Sequence, residues 1–211
     1  MRQIDRTIRL MTIVGVLAVG MGLSIPALCQ TIVDEWAGVK APPPPELKPV
    51  TIDPKVTGLL MLDFVKQNCG QRPRCVASLP RAQRLLTQAR EKGVPVIHSL
   101  VARASVSDLY PEVAARAGEP SVTSGPDKFL NTDLEKILKE KGITTVIVVG
   151  TAAEGAVLHT AASAALRGFR IVVPVDGMSS SDAYPEQYTA WHLANRFAAR
   201  STMTRIDLIG Y

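Results

Sequence analysis

Apolar residues fall along this chain in short runs separated by stretches of helical spacing. The runs are Thr57–Leu62, Val94–Val101, Thr144–Val149, Arg170–Val175 and Thr202–Ile209. The first four hold mostly consecutive apolar residues, interrupted inside only by His98 and Ser99, so they read as strands covered on both faces, the pattern of a parallel sheet under helices, and the more polar fifth reads as a last strand. Between them the spacing changes. Ser78 is an N-cap with Pro80 in the first turn, followed by an inward stripe of Ala82, Leu85, Leu86 and Ala89 that Gly93 ends. Thr132-x-x-Glu135 is a capping box that opens a helix with Leu134, Ile137 and Leu138 inward, stopped at Gly142. Val157, Thr160, Ala161, Ala164 and Ala165 form a small-residue helical face ended by Gly168, and a last helix covers Tyr184–Ala199, with Tyr188, Trp191 and Asn195 as a packing stripe. The order β-α-β-loop-α-β-α-β-α-β predicts a doubly wound α/β domain. Only Ala102–Pro126 breaks the rhythm, with Pro111, Gly118, Pro120, Gly125 and Pro126, and reads as a long loop of the kind that forms lids or site walls.

The start of the chain reads differently. Met1–Arg9 is basic on balance, Leu10–Ile25 is apolar, and small residues at Ala27 and Cys29 precede Gln30. This predicts a signal peptide over residues 1–29, with an uncleaved anchor as the alternative, for which the apolar run is short. Residues 30–52 hold Pro42–Pro45 in a row and then Pro49, so they are expected to be an extended tether, with the folded domain over 53–211. A periplasmic or secreted location follows, and membrane contact is expected only through the N-terminal signal during export.

Export changes what the cysteines mean. Cleavage before Gln30 leaves Cys69 and Cys75, in CGQRPRC, and an oxidising compartment favours a disulfide between them. Two unpaired thiols or a metal pair are the alternatives. The formal charge of +5 is partly carried by Arg2, Arg6 and Arg9, and the remaining basic residues form no dense run with aromatics. Nothing here has the footprint of a nucleic-acid-binding protein.

Candidate chemistry gathers at the ends of strands. The turn Gly150–Ala156 lies between a predicted strand and the N-terminus of a helix, where free N–H groups and a positive partial charge favour ligands. It contains no Cys, Ser or His, and Glu154 is its one ionisable side chain, so reactive groups must come from elsewhere. Asp63 follows directly on the first strand, an expensive place for an acid that is neither paired nor used. His98 reads as a hydrogen-bonded core histidine and Asp176 as a turn-capping residue. No Gly-rich dinucleotide fingerprint, Walker loop, zinc motif or GxSxG elbow is present in the sequence.

Taken together, LLMLDF at the first strand, FLNTDLEKILKEKGITTVIVVGTAAEGAVLHTAASAALRGFRIVVPVDG and the C-terminal helix resemble the isochorismatase-like hydrolases, from about Thr57 to the end. The resemblance implies a Rossmann-like three-layer sandwich with a mostly parallel six-stranded sheet. In that family an Asp after the first strand serves as base, a Lys after the long loop positions and balances charge, and a Cys at a helix start is the nucleophile. Carried onto this chain, Asp63 matches the Asp. The usual Lys position falls near Thr123, and Lys128 is the nearby lysine. The nucleophile position is Ala156, which cannot attack a carbonyl. Thr151, Ala152, Gly155 and Phe64 are the implied substrate contacts. The metal-binding histidines of nicotinamidases have no match, so neither a metal nor a cofactor is expected. The implied partner is a small molecule, and the family's habit of self-association implies a homo-oligomer. Two functions follow. One is a hydrolase without a covalent step, with Asp63 as general acid or base. The other is an inactive family member that serves as a binding or interaction protein.

Overall fold

A computed structural model describes residues 31–211, so the predicted signal peptide lies outside the described residues. Two compact units divide the chain, up to Ala41 and from Pro42 to Tyr211. In the first, α1 (Ile32–Glu35) is capped reciprocally by Thr31 and Asp34 and runs into a 3-10 turn at Trp36–Gly38.

The second unit carries the sheet. Its strands are β1 (Val50–Thr51), β2 (Thr57–Leu62), β3 (Val96–Leu100), β4 (Ser121–Thr123), β5 (Thr145–Thr151), β6 (Arg170–Pro174), β7 (Met178–Ser179), β8 (Ser201–Thr204) and β9 (Ile209–Gly210). Its helices are α2 (Lys66–Cys69), α3 (Pro73–Glu91), α4 (Leu134–Glu140), α5 (Leu158–Leu166) and α6 (Ala183–Arg196). The main sheet has the order β4-β3-β2-β5-β6-β8, and β7 pairs with β5 as a short seventh strand. All of these pairings are parallel. The expected six strands therefore form the continuous path, extended by one two-residue strand.

Unbroken apolar runs cover both faces because successive side chains point to opposite sides. Leu60, Leu62, Val146, Val148, Ile171 and Val173 face the helices α4, α5 and α6, through Leu134, Leu138, Ala161, Ala164 and Leu193. Leu59, Met61, Ile147, Val149 and Val172 face α3, through Leu79, Ala82, Leu85, Leu86 and Ala89. This is the predicted three-layer sandwich. The chain leaves β2 toward one edge, by way of α3, and returns to β5 by way of α4. The strand order therefore reverses between β2 and β5, and open α/β sheets bind ligands at such a switch point.

Several local expectations are corrected. α3 starts at Pro73, not at Ser78, and Pro80 sits inside it. Pro73 in the first turn is the true start signal, while the Ser78 hydroxyl turns back to the Cys75 carbonyl at 2.7 Å. The Thr132 capping box does not form: α4 begins at Leu134, and Thr132 Oγ1 instead donates to the Lys128 carbonyl. The long loop over 102–126 contains β4, an edge strand too short and too polar to read from periodicity. The last strand is split, because β8 stops at Thr204 and a 3-10 turn at Ile206–Leu208 redirects the chain into β9. The tether is not free of the core through Ile52. β1 pairs with β9, Ile52 is buried, and Pro42–Pro45 line a groove with Ala190 and Trp191 of α6. Trp191 of the predicted packing stripe meets that proline run, while Tyr188 is exposed.

Candidate functional site

β2 delivers Asp63 to the switch point in an unusual backbone state. Its φ is +56°, in the left-handed region where Asp and Asn are among the better-tolerated side chains. The Asp63 N–H reaches both the carbonyl and the hydroxyl of Ser99, each at 3.2 Å, and Ser99 is the Cα partner of Leu62 in the parallel β2–β3 register. The Ser99 hydroxyl donates in turn to Asp63 Oδ1 at 2.7 Å.

Lys128 arrives from the loop after β4. Its Nζ lies 2.8 Å from Asp63 Oδ2, with only 1% of the Lys128 side chain and 6% of the Asp63 side chain exposed. The same ammonium donates to the Ser124 carbonyl at 3.1 Å. The backbone around it is held from α5: the Lys128 N–H donates to Thr160 Oγ1, whose hydroxyl donates to the Pro126 carbonyl, both at 3.2 Å. The displacement of this lysine along the loop relative to Thr123 therefore does not keep it from the aspartate.

On the other side of the switch point is the end of β5. Gly150 has φ +147°, and a Cβ there would lie 2.3 Å from the Leu62 carbonyl oxygen. Only glycine lets β5 approach β2 so closely, one residue before Asp63. The Thr151–Ala152 peptide is cis, and a π-helical turn over Ala153–Val157 leads into α5. Gly155 and Val157 return their N–H groups to the Ala152 carbonyl, at 3.1 and 3.2 Å. The N–H groups of Ala153 and Glu154 open the turn, before any acceptor that the helix itself can supply. Asn68 of α2 spans the gap between the strand ends. Its Nδ2 donates to the carbonyl of Thr151 at 3.3 Å and more weakly to that of Asp63 at 3.5 Å.

Asp63 and Lys128 are thus in contact, and both flank the switch point with the turn that carries Ala156. Ala156 is buried in the apolar cluster on the α5 face, with Leu62 and Phe129. Phe64 is fully buried in the cluster on the opposite face of the sheet, with Met61 and Val65, so its ring is core and not a wall beside Ala156. Thr151 uses its hydroxyl on the Ser179 carbonyl of β7, at 3.1 Å, and Ala152 and Gly155 are half-buried. Glu154 accepts from the Ser180 hydroxyl. His98 is a core histidine, as read, with its Nε2 2.9 Å from Glu119. Asp176 caps a turn by accepting the Ile206 N–H at 2.9 Å. Cys69 and Cys75 form a disulfide, with a sulfur–sulfur distance of 2.04 Å, joining α2 to α3.

Three contributors escaped the sequence: Ser99, Thr160 and Asn68. Each is an ordinary polar residue in its own element. The one available signal was that Ser99 lies near the carboxyl end of its strand, as Asp63 lies just past the end of β2.

Chemically, both Asp63 oxygens act as acceptors, one from a hydroxyl and one from an ammonium. Lys128 uses two of its three N–H bonds on protein, which leaves one for a ligand. Among the described residues no group of three or more His, Cys, Asp or Glu side chains converges as a metal site would require.

A model of the isochorismatase domain matches residues 57–205. A secreted isochorismatase effector of Verticillium dahliae is 27% identical over 117 residues, which are 50% of this chain and 62% of that relative. An N-carbamoylsarcosine amidase of Arthrobacter is 26% identical over 147 residues, 56% of each chain. The chain therefore spans less than two thirds of either relative. Among solved structures, a cysteine hydrolase from Pseudomonas syringae superposes with a TM-score of 0.67 at 18% identity, covering 80% of this chain and 95% of that one.

Proposed function

This chain belongs to the isochorismatase family, and from that premise we propose that it is an exported hydrolase that acts on a small molecule without a cysteine nucleophile. The observation that carries the proposal is the buried contact of 2.8 Å between Lys128 Nζ and Asp63 Oδ2. A buried ion pair is costly to assemble and gives little net stability. Its place at the switch point, beside the position where the family carries its thiol, argues for use.

The arrangement suits a base better than an acid. With an ammonium on one oxygen and a hydroxyl on the other, Asp63 takes the acceptor's part in the site, whereas an enol-ether reaction needs a proton donor there. In the proposed step a water beside the Ala156 methyl replaces the family's thiol. Asp63 takes its proton as the water oxygen bonds to the substrate carbonyl carbon. The carbonyl oxygen gains the negative charge and meets N–H groups of the Ala153–Glu154 turn. The bond to the leaving group then breaks, and Asp63 returns the proton to it. The remaining N–H of Lys128 orients the substrate.

Export is supported by the apolar N-terminal run, by the disulfide in the described part of the chain and by the secreted relative. A homo-oligomer is proposed from the family resemblance.

The test is hydrolysis of a panel of small amides, esters and enol ethers by the mature chain and by Asp63→Asn. At least one class should be turned over, and Asp63→Asn should lower the rate by roughly 10²–10⁴-fold, the usual worth of a positioned acid or base. No turnover of any class by the wild-type protein would sink the hydrolase reading. Ala156 itself favours a second reading, a binding protein on a hydrolase scaffold. That reading predicts saturable ligand binding without turnover, with an affinity that depends on Lys128.

A further inference from the structure

We propose that Ser99 is a positioning residue for Asp63: its hydroxyl pins Oδ1 and so reserves Oδ2 for Lys128 and for the proton that is moved. The inference rests on the hydrolase reading for its kinetic consequences, but not for its geometry.

Three observations converge on it. Ser99 is 1% exposed, so its hydroxyl is cut off from bulk solvent. It sits opposite Leu62 in the β2–β3 register, which places it beside the residue at which β2 ends. Its Oγ contacts Asp63 twice, with the N–H at 3.2 Å and Oδ1 at 2.7 Å.

Those two contacts fix the direction of each hydrogen bond without any hydrogen being seen. A backbone N–H can only donate, so Oγ accepts there. A carboxylate paired with an ammonium can only accept, so the single hydroxyl proton of Ser99 points at Oδ1. One small side chain therefore locks both the left-handed backbone of Asp63 and the rotation of its carboxylate. With Oδ1 held, Oδ2 is the oxygen that faces Lys128. The two oxygens become chemically distinct, one for holding and one for reacting.

The consequence is kinetic more than thermodynamic. A carboxylate free to rotate spends much of its time away from the productive geometry, and misplacement of a reacting group by about 1 Å costs on the order of 10²-fold in rate. Ser99 touches neither water nor the substrate in the proposed step, so its loss should lower turnover and leave substrate affinity alone.

The experiment compares wild type with Ser99→Ala, Ser99→Cys and Ser99→Thr. Each is assayed on the best substrate from the panel and solved by crystallography. In Ser99→Ala, kcat should fall roughly 10- to 100-fold while KM stays within about twofold. Ser99→Thr, which keeps the hydroxyl on a residue suited to strands, should recover most of kcat. Crystals of Ser99→Ala should have the Asp63 carboxylate rotated, with its single contact from Oδ2 to Lys128 lost or shared with Oδ1. Ser99→Cys keeps the size and weakens the donor, so it should rotate the same group if the alanine variant does not fold. An Asp63–Lys128 contact unchanged in both crystals would overturn the proposal. So would a rise in KM with kcat intact, or a well-folded Ser99→Thr as slow as Ser99→Ala. If wild type turns over no substrate, the hydrolase reading fails, and the crystal structures still decide the role of Ser99.

Discussion

Lys128 Nζ lies 2.8 Å from Asp63 Oδ2, with both side chains almost entirely withdrawn from solvent. Removing one member of a buried pair strands the other, which typically costs about 3–5 kcal/mol, whereas removing both can be nearly neutral. Lys128→Met and Asp63→Asn should each lower stability to urea, and the double variant should be more stable than Lys128→Met alone. Urea unfolding monitored by far-ultraviolet circular dichroism checks this. Strictly additive losses would mean that the two groups do not depend on one another.

Ala156→Cys places a thiol in the π-helical turn that leads into α5, on the side of the switch point across from the Asp63–Lys128 pair. A thiolate there is favoured by the helix N-terminus and by the ammonium. The variant should gain amidase activity and accumulate an acyl-enzyme visible by mass spectrometry. An Ala156→Cys protein that is folded, labels with iodoacetamide and forms no acyl adduct would mean that the surrounding groups are out of register.

Gly150→Ala should be severe. The new Cβ meets the Leu62 carbonyl oxygen at 2.3 Å, and φ there is +147°. Strain and overpacking together are worth about 2–5 kcal/mol. The measurement is the shift in urea midpoint. A loss below about 0.5 kcal/mol, the range of an ordinary surface change, would contradict the close approach of β5 to β2.

The disulfide gives a simpler test. Denatured, unreduced mature protein should contain no titratable thiol at Cys69 and Cys75. Cys69→Ser/Cys75→Ser should lose on the order of 2 kcal/mol, the usual contribution of a short closed loop. Two thiols in the oxidised protein would disprove the bond.

Acid stability should depend on Glu119 and His98. Burial opposes the Glu119 carboxylate, but two donors from Arg90, the Arg116 N–H and His98 bring it down to about 2 from its ordinary 4.5. This stabilisation is complete above about pH 4.5 and is lost as the pH falls toward 2. Burial pushes His98 below 6.5 despite its contact with Glu119, so below pH 6.5 the unfolded chain takes up a proton that the folded chain resists. Both effects reduce stability as the pH drops, first from His98 and then from Glu119. Urea unfolding at pH 7, 5.5, 4 and 3 should reveal two successive declines, and Glu119→Gln should flatten the lower one. A flat profile from pH 7 to 3 would refute the assignment.

Much of this was legible in the sequence, for a physical reason. β2, β3, β5 and β6 are covered on both faces, so their runs are largely apolar, His98 and Ser99 of β3 apart, and hard to mistake. β4 is an edge strand of three residues, of which only Val122 is buried, and its burial leaves no period. Pro80 looked like a helix start because proline is at home in a first turn, yet Pro73 plays that part and Pro80 lies on the exposed side of α3. Asp63 was conspicuous because an acid after a buried strand needs a reason. Ser99 was not, because one hydroxyl in a strand carries no signal until the neighbouring strand is known. Lys128 was legible as a residue but not as a contact, since the path of its loop depends on β4 and on Thr160.

The pairing of β1 with β9 bears on how this protein can be handled. Val50 lies against Ile209 and Thr51 against Gly210, and the Ile52 N–H adds a bond of 3.0 Å to the Gly210 carbonyl. The two ends of the domain are therefore buckled together. A truncation meant to remove only the proline-rich lead-in, if it passes Val50, also unlatches the last strand. An anchor pulling on that lead-in would load the 2.9 Å bond from the Lys48 N–H to the Met203 carbonyl of β8 before it reached this buckle. Expression boundaries and fusion joints belong upstream of Pro42 or beyond Tyr211, where neither half of the buckle is cut.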